Sequence, residues 1–277
     1  MNHPTSKTLK PVYGVGLAMA TLFVSGAASF AAPIALAPHR AVYDVALKDA
    51  TDRSGITSMN GRIVYEFRGS ACEGYTTNFR FVTQVGVQGE ARVTDQRTST
   101  FEEADGSLFQ FVTKTYVNDA FDREVSGVAT VDDDAVSVDL KKPEEMQLEL
   151  SPAMFPSAHM IDLLSRAENG ETFYEQALFD GSEDGDSAMA TTVIIGPQKT
   201  DEEQADILGA LAQEPFRTVN IAYFSQENAE GGEALPQYGI GFKMYNNGIT
   251  RSLEMDYGEF SLTGDLTALE VFEAEGC

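Results

Sequence analysis

From Arg40 onward, apolar and polar residues alternate with a period of two. In RAVYDVALK, Val42, Asp44 and Ala46 fall on one side and Tyr43, Val45 and Leu47 on the other. GRIVYEFRG, GYTTNFRFVTQV, SLFQFVTKTYVN and FDREVSGVATV repeat the pattern with residues that favour a pleated, half-buried surface. Asp105-Gly106, Asn118-Asp119 and the acidic run 132–134 supply turns between them. The alternation resumes at FRTVNIAYF and continues through QYGIGFKMYNNGITRSLEMDYGEFSLTGDLTALEVFE, where Asn246-Asn247-Gly248 suits a hairpin turn. One segment changes period. Met160, Ile161, Leu163, Leu164 and Ala167 form a helical stripe, with Ser157 placed to cap it after Pro156 and Asn169-Gly170 to end it. Thr200 to Glu203 has the form of a capping box ahead of a short amphipathic stretch ending at Pro215. The pattern predicts a mainly β protein: a spiral or broken antiparallel β-barrel packed around one main α-helix.

The first residues differ in character. Lys7 and Lys10 precede an apolar run from Val12 to Val24, and Ser29-Phe30-Ala31 or Ala35-Leu36-Ala37 offers a small-x-small cleavage site. Residues 1–31 therefore read as a signal peptide and residues 32–277 as one domain, with a periplasmic destination. The apolar run is too short for an ordinary membrane span, and no cysteine follows it to carry a lipid, so no membrane anchor is expected. The 19 Lys and Arg against 43 Asp and Glu give a net charge of -24, which disfavours nucleic acid and anionic membranes as partners.

Two cysteines, Cys72 and Cys277, remain for an oxidising compartment. A disulfide between them is the natural reading, which would tie the chain's last residue to an early strand; two separate thiols are the alternative. Reactive chemistry is harder to find. In FDGSEDGD, Asp180, Ser182 and Asp184 alternate as in a calcium loop and Gly185 falls at the sixth position, but Thr191 stands where the bidentate acid belongs, which favours an acidic turn. Ser157 and His159 sit too close along one helix start to be read as nucleophile and base, and His39 has no nucleophile to serve. No zinc-ligand spacing occurs, and the pairs Glu102-Glu103 and Glu144-Glu145 read as solvated surface charge. No catalytic residue, metal or cofactor is assigned. Aromatic pairs at alternate or adjacent positions, Phe79 with Phe81, Phe109 with Phe111 and Tyr223 with Phe224, either fill the core or line a cavity for an acyl chain, and core filling is the simpler expectation.

Four blocks carry a family resemblance: APHRAVYDVAL (37–47), GRIVYEFRGSACEGYTTNFRFV (61–82), LFDGSEDGD (178–186) and YNNGITRSLEMDYGEFSLTGDLTALE (245–270). In these the chain resembles the EipB family of alphaproteobacterial cell-envelope integrity proteins. The resemblance implies a periplasmic β-spiral around a helix, a disulfide mapping onto Cys72 and Cys277, and association with a tetratricopeptide-repeat protein. It implies no catalytic residues. The resulting expectation is a non-enzymatic protein that maintains the cell envelope by binding a protein partner or a peptide; a lipid or lipoprotein carrier with an apolar barrel cavity is the alternative.

Overall fold

Tyr43 and Val45 are buried while Asp44 and Ala46 face solvent, so the first strand has the alternation that its sequence dictates. The computed structural model describes Met1 and residues 34–132, 135–201, 203–225 and 235–274. The predicted signal peptide, the turn at 133–134 and Cys277 lie outside these. Residues 34–277 form one compact unit.

Among the described residues fourteen strands make a single sheet. The first eight are β1 (His39–Ala50), β2 (Ile56–Ser70), β3 (Gly74–Val87), β4 (Glu90–Glu102), β5 (Leu108–Val117), β6 (Ala120–Asp132), β7 (Ala135–Lys142) and β8 (Met146–Leu150). After helix α1 (Pro156–Glu168) come β9 (Phe173–Leu178) and β10 (Met189–Lys199). Helix α2 (Ala205–Leu208) precedes β11 (Phe216–Ser225), β12 (Tyr238–Tyr245), β13 (Thr250–Asp256) and β14 (Phe260–Val271). The order β8-β7-β6-β5-β4-β3-β2-β1-β14-β13-β12-β11-β10-β9 is two meanders joined by the antiparallel pairing of β1 with β14. Asn118 and Asp119 both adopt positive φ in the β5–β6 hairpin, and Gly248 does so between β12 and β13.

The sheet is open, because β8 and β9 are edges that do not pair with each other. It nevertheless curls. Leu163, Leu164 and Ala167 of α1 share one apolar cluster with Phe67 and Tyr75 of β2 and β3 and with Val193, Val219 and Phe242 of β10 to β12, strands distant in the sheet order. The gap between the edges is filled by side chains instead of ladder hydrogen bonds: Phe155 and Phe179 pack with Phe109, Phe111, Val125 and Val138 of β5 to β7. Met154 adds one parallel bridge to Leu178.

Three expectations change. Among the described residues there are two α-helices, of 13 and 4 residues, where one main helix was expected. The second is confined to four residues, continued by a 3-10 turn at Gly209–Gln213, and has no side-chain cap. The carboxylates of its predicted capping box are engaged elsewhere: Asp201 and Glu203 accept from Lys243 and from Arg251, whose side chain is fully buried against Phe216. Finally, Ser157 does not cap α1. Phe155 is the N-cap residue and Pro156 the first helical position. The buried Glu102, at the end of β4, accepts the Ser157 N–H on Oε2 and the Ala158 N–H on Oε1, each at 2.7 Å. A side chain distant in sequence thus satisfies two orphan donors of the helix start. Glu102 had read as surface charge from its neighbourhood in sequence.

Candidate functional site

The inward faces of β1 to β3 and of β12 and β13 meet over α1 without filling the space between them. A cavity of about 310 Å³ remains, within the lower range for small-molecule sites. Phe79 and Phe81 of β3 form one wall, Ile240 and Phe242 of β12 with Leu253 of β13 the other, and Met160 of α1 contributes to the lining. A smaller hollow of about 140 Å³ shares His39, Tyr65, Met160 and Gly248 with it.

Polar atoms on these walls are few and uncharged. The Tyr43 hydroxyl donates to the Thr250 carbonyl at 2.8 Å. Tyr65 is a neutral phenol, its pKa pushed up to about 12 by burial against the opposing effect of a hydrogen bond with Thr77. His39 is buried, which pushes its pKa below the ordinary imidazole value, while its 2.7 Å contact with the Ala37 carbonyl pulls the other way. A carbonyl can only accept, so Nδ1 carries the proton and Nε2 is left as an acceptor. Such a site suits an apolar chain and repels an ion, because a charge placed there finds no partner to offset its desolvation.

The aromatic pairs of the sequence divide. Phe79 and Phe81 line the cavity, whereas Phe109 and Phe111 are packed solid: Phe109 stacks on Phe155 with centroids 5.2 Å apart and Phe111 meets Phe179 edge-on at 5.6 Å. Tyr223 is buried in the core and stacks on Tyr238.

The other sequence candidates resolve individually. The Ser157 hydroxyl as well as its N–H bonds Glu102. His159 is buried, with a pKa lowered to about 4 by desolvation and no partner for Nε2 among the described residues. Ser157 and His39 both line the smaller hollow, where His39 Nδ1 is bonded to the Ala37 carbonyl and the Ser157 N–H to Glu102. In the 178–186 loop the acids Glu183, Asp184 and Asp186 are exposed and Asp184 pairs with Arg123 at 2.8 Å, as an acidic turn requires. Its glycines do more than turn. Gly181 and Gly185 are buried, and a Cβ on Gly181 would lie 2.5 Å from the Phe111 ring. The loop fastens the β9 edge onto β5 to β7. Among the described residues no group of three or more His, Cys, Asp or Glu side chains could hold a metal, and no helix is long and apolar enough to cross a membrane. Cys72 lies in the exposed turn between β2 and β3, and its predicted partner is outside the described residues.

The chain with this open, curled antiparallel sheet belongs to the EipB-like family, whose model matches residues 30–273. A curated relative is the cell envelope integrity protein EipB of Brucella abortus (strain 2308), 47% identical over 260 residues that cover 92% of each chain. A crystal structure from Brucella abortus, of a beta-barrel-like protein with the domain of unknown function DUF1849, superposes with a TM-score of 0.82 at 47% identity, over 87% of this chain and 100% of that one.

Proposed function

We propose that this chain is an exported periplasmic protein that maintains the cell envelope by binding, without catalysis, and that its ligand is the apolar chain of a lipid or lipidated molecule. The uncharged cavity beside Met160 carries this reading. At about 310 Å³ it has room for part of one acyl chain. The family relationship supports the envelope role, and the leader composition of residues 1–31 supports export. The test is mass spectrometry of protein purified from its native periplasm. A co-purifying lipid, absent from a Met160→Trp variant that folds normally, is the expected result; wild-type protein free of any apolar small molecule refutes the cavity reading.

A protein partner, as the family resemblance implies, is the second reading. Its support is an exposed apolar pair on the β9 edge, where Phe173 and Ile194 stand opposite each other with 59% and 51% of their surfaces in water. A repeat protein recovered by pull-down from periplasmic extract, and lost on Ile194→Asp, is expected on this reading. Identical recovery with the variant removes it. We also propose the Cys72–Cys277 disulfide. The C-terminal strand leads toward Cys72, since the Arg68 guanidinium lies 3.8 Å from the centroid of the Phe272 ring. Five further residues can span roughly 17 Å.

A further inference from the structure

Charge is segregated along this chain. From Arg40 to Arg123 there are ten Lys and Arg against twelve Asp and Glu; from Glu124 onward there are seven against thirty-one. The nearly balanced part is β1 to β5 with the start of β6, and its outward face gathers cations. Strand register sets Val64, Arg80, Arg97 and Lys114 opposite one another on β2, β3, β4 and β5. Three like charges therefore stand in line on neighbouring strands, each step about 5 Å, an arrangement that destabilises a sheet. In so acidic a protein carboxylates to neutralise the row are abundant in the sequence, yet few are placed there.

Those that are placed hold the guanidiniums in position. Asp95 accepts from Nε and Nη2 of Arg80, both at 2.9 Å, and from Nε and Nη2 of Arg97 at 3.1 and 2.7 Å. The Arg80 fork holds its pKa down at about 2, so it stays ionised. Glu66 is shared in the same way by Arg40 at 3.1 Å and Arg68 at 2.7 Å. Lys114 faces Glu124 more loosely, at 3.4 Å. Four of these cations, Arg40, Arg80, Arg97 and Lys114, line one groove together with the carboxylate of Glu66. The groove measures about 470 Å³, and in it Asn78 and Ser99, hydrogen-bonded at 3.0 Å, adjoin the cationic row. About half of each Arg80 and Arg97 side chain remains in water, and each guanidinium keeps N–H donors that Asp95 does not use.

We propose that this outward groove binds the phosphate ester of a sugar, with the phosphate on Arg80 and Arg97 beside Lys114 and the sugar hydroxyls against Asn78 and Ser99. Planar guanidiniums fixed by a shared carboxylate match the geometry of a phosphate, and their ordering cost is already met by Asp95. The same features disfavour a membrane surface, whose recruitment takes clusters of roughly four to eight uncompensated cations. Phe79 touches both the groove and the apolar cavity, but Asn78, Arg80, Arg97, Ser99 and Lys114 line the groove alone, so substitutions there can remove one site without the other.

The test is an NMR titration of the isotopically labelled full-length mature chain with glucose 1-phosphate, with glucose and inorganic phosphate in parallel. The expected result is movement of the Asn78, Arg80, Arg97, Ser99 and Lys114 amides, saturable in glucose 1-phosphate, at least fivefold tighter than for inorganic phosphate and absent with glucose. Arg80→Gln should weaken binding about tenfold. Arg97→Lys, which keeps the charge but loses the fork, should weaken it too, with inward-facing amides unmoved to show that the fold persists. No movement of those amides, equal affinity for inorganic phosphate (an adventitious ion only), undiminished binding by Arg97→Lys, or binding to anionic phosphatidylglycerol vesicles with no response to glucose 1-phosphate would each overturn the proposal.

Discussion

Replacing Glu102 by Gln changes one atom's chemistry at the start of α1. The carboxylate accepts two backbone N–H groups, from Ser157 and Ala158, one on each oxygen. Glutamine keeps the shape but has a single acceptor, so its NH2 must face one of those N–H groups. That donor is left unsatisfied in the interior, at a cost of about 1–3 kcal/mol, and the favourable charge at the helix N-terminus is lost as well. An offset exists: burial pushes the Glu102 pKa above the ordinary carboxylate value, against the pull of bonds from the Ser157 and Ala158 amides and the Ser157 hydroxyl. A raised folded-state pKa means that the native state binds the proton more tightly than the unfolded chain, so this group's contribution falls as pH rises from the unfolded value through the folded one. Removing the ionised group relieves that part. The net expectation at neutral pH is a loss of about 2 kcal/mol, or a melting temperature lower by roughly 4–8 °C for a unit of this size. Glu103→Gln, at the exposed neighbouring position, should leave the melt unchanged. The assay is thermal unfolding followed by circular dichroism at pH 7, repeated near pH 5, where the gap between variant and wild type should differ. Equal melting of Glu102→Gln and wild type at both pH values would refute the capping role.

Other perturbations test the closure of the sheet. Gly181→Ala sets a Cβ against the Phe111 ring at a positive-φ position; chemical denaturation should show a loss of about 1–3 kcal/mol, and an unchanged midpoint would mean the loop does not pack there in solution. Arg251→Met removes a fully buried cation from Asp201 and Glu203. Truncating one partner of such a cluster costs about 3–5 kcal/mol when both are buried. The partial exposure of these acids puts the expectation below that range, and a variant as stable as wild type in urea would contradict it. Cys72→Ser should lower the oxidised protein's melting temperature toward that of reduced wild type. The chain-entropy limit for a loop of about 205 residues is roughly 5 kcal/mol, and identical melts with and without reductant would count against the bond.

How much of this was legible in the sequence depends on whether the cause was local. The strands were legible because a half-buried antiparallel strand writes its environment into alternate residues, as at Tyr43 and Val45 against Asp44. Asn118-Asp119 and Gly248 were legible because positive φ selects residue types. Glu102 was not, since its burial depends on a helix start 55 residues away. The same holds for Asp201 and Glu203, whose cationic partners lie 40 or more residues on. The cavity was legible only as a pair of alternatives. Phe79-x-Phe81 and Phe109-x-Phe111 are the same pattern on neighbouring parts of one sheet, and nothing in either strand says which is packed solid. What differs is the opposite side: Phe155 and Phe179 fill the space over β5, whereas over β3 the helix presents Met160.

That difference follows from how the chain passes between the sheet's two edges. The segment linking β8 to β9 must cross the hollow of the curl, and α1 is the part of it that does so. Its start is fixed by Glu102 on β4, and its apolar face, through Leu163 and Leu164, joins the cluster that links β2 and β3 with β9 to β12. Aromatic residues flanking the crossing, Phe155 before the helix and Phe179 after β9, seal β5 to β7. The space in front of β1 to β3 and β12 to β13 is then furnished by a flexible methionine and uncharged ring edges. An open sheet filled only in part by its own crossover retains a cavity beside Met160. The apolar hollow is therefore a consequence of how the crossover packs, and its lack of charge is the feature on which the proposed binding of hydrocarbon rests.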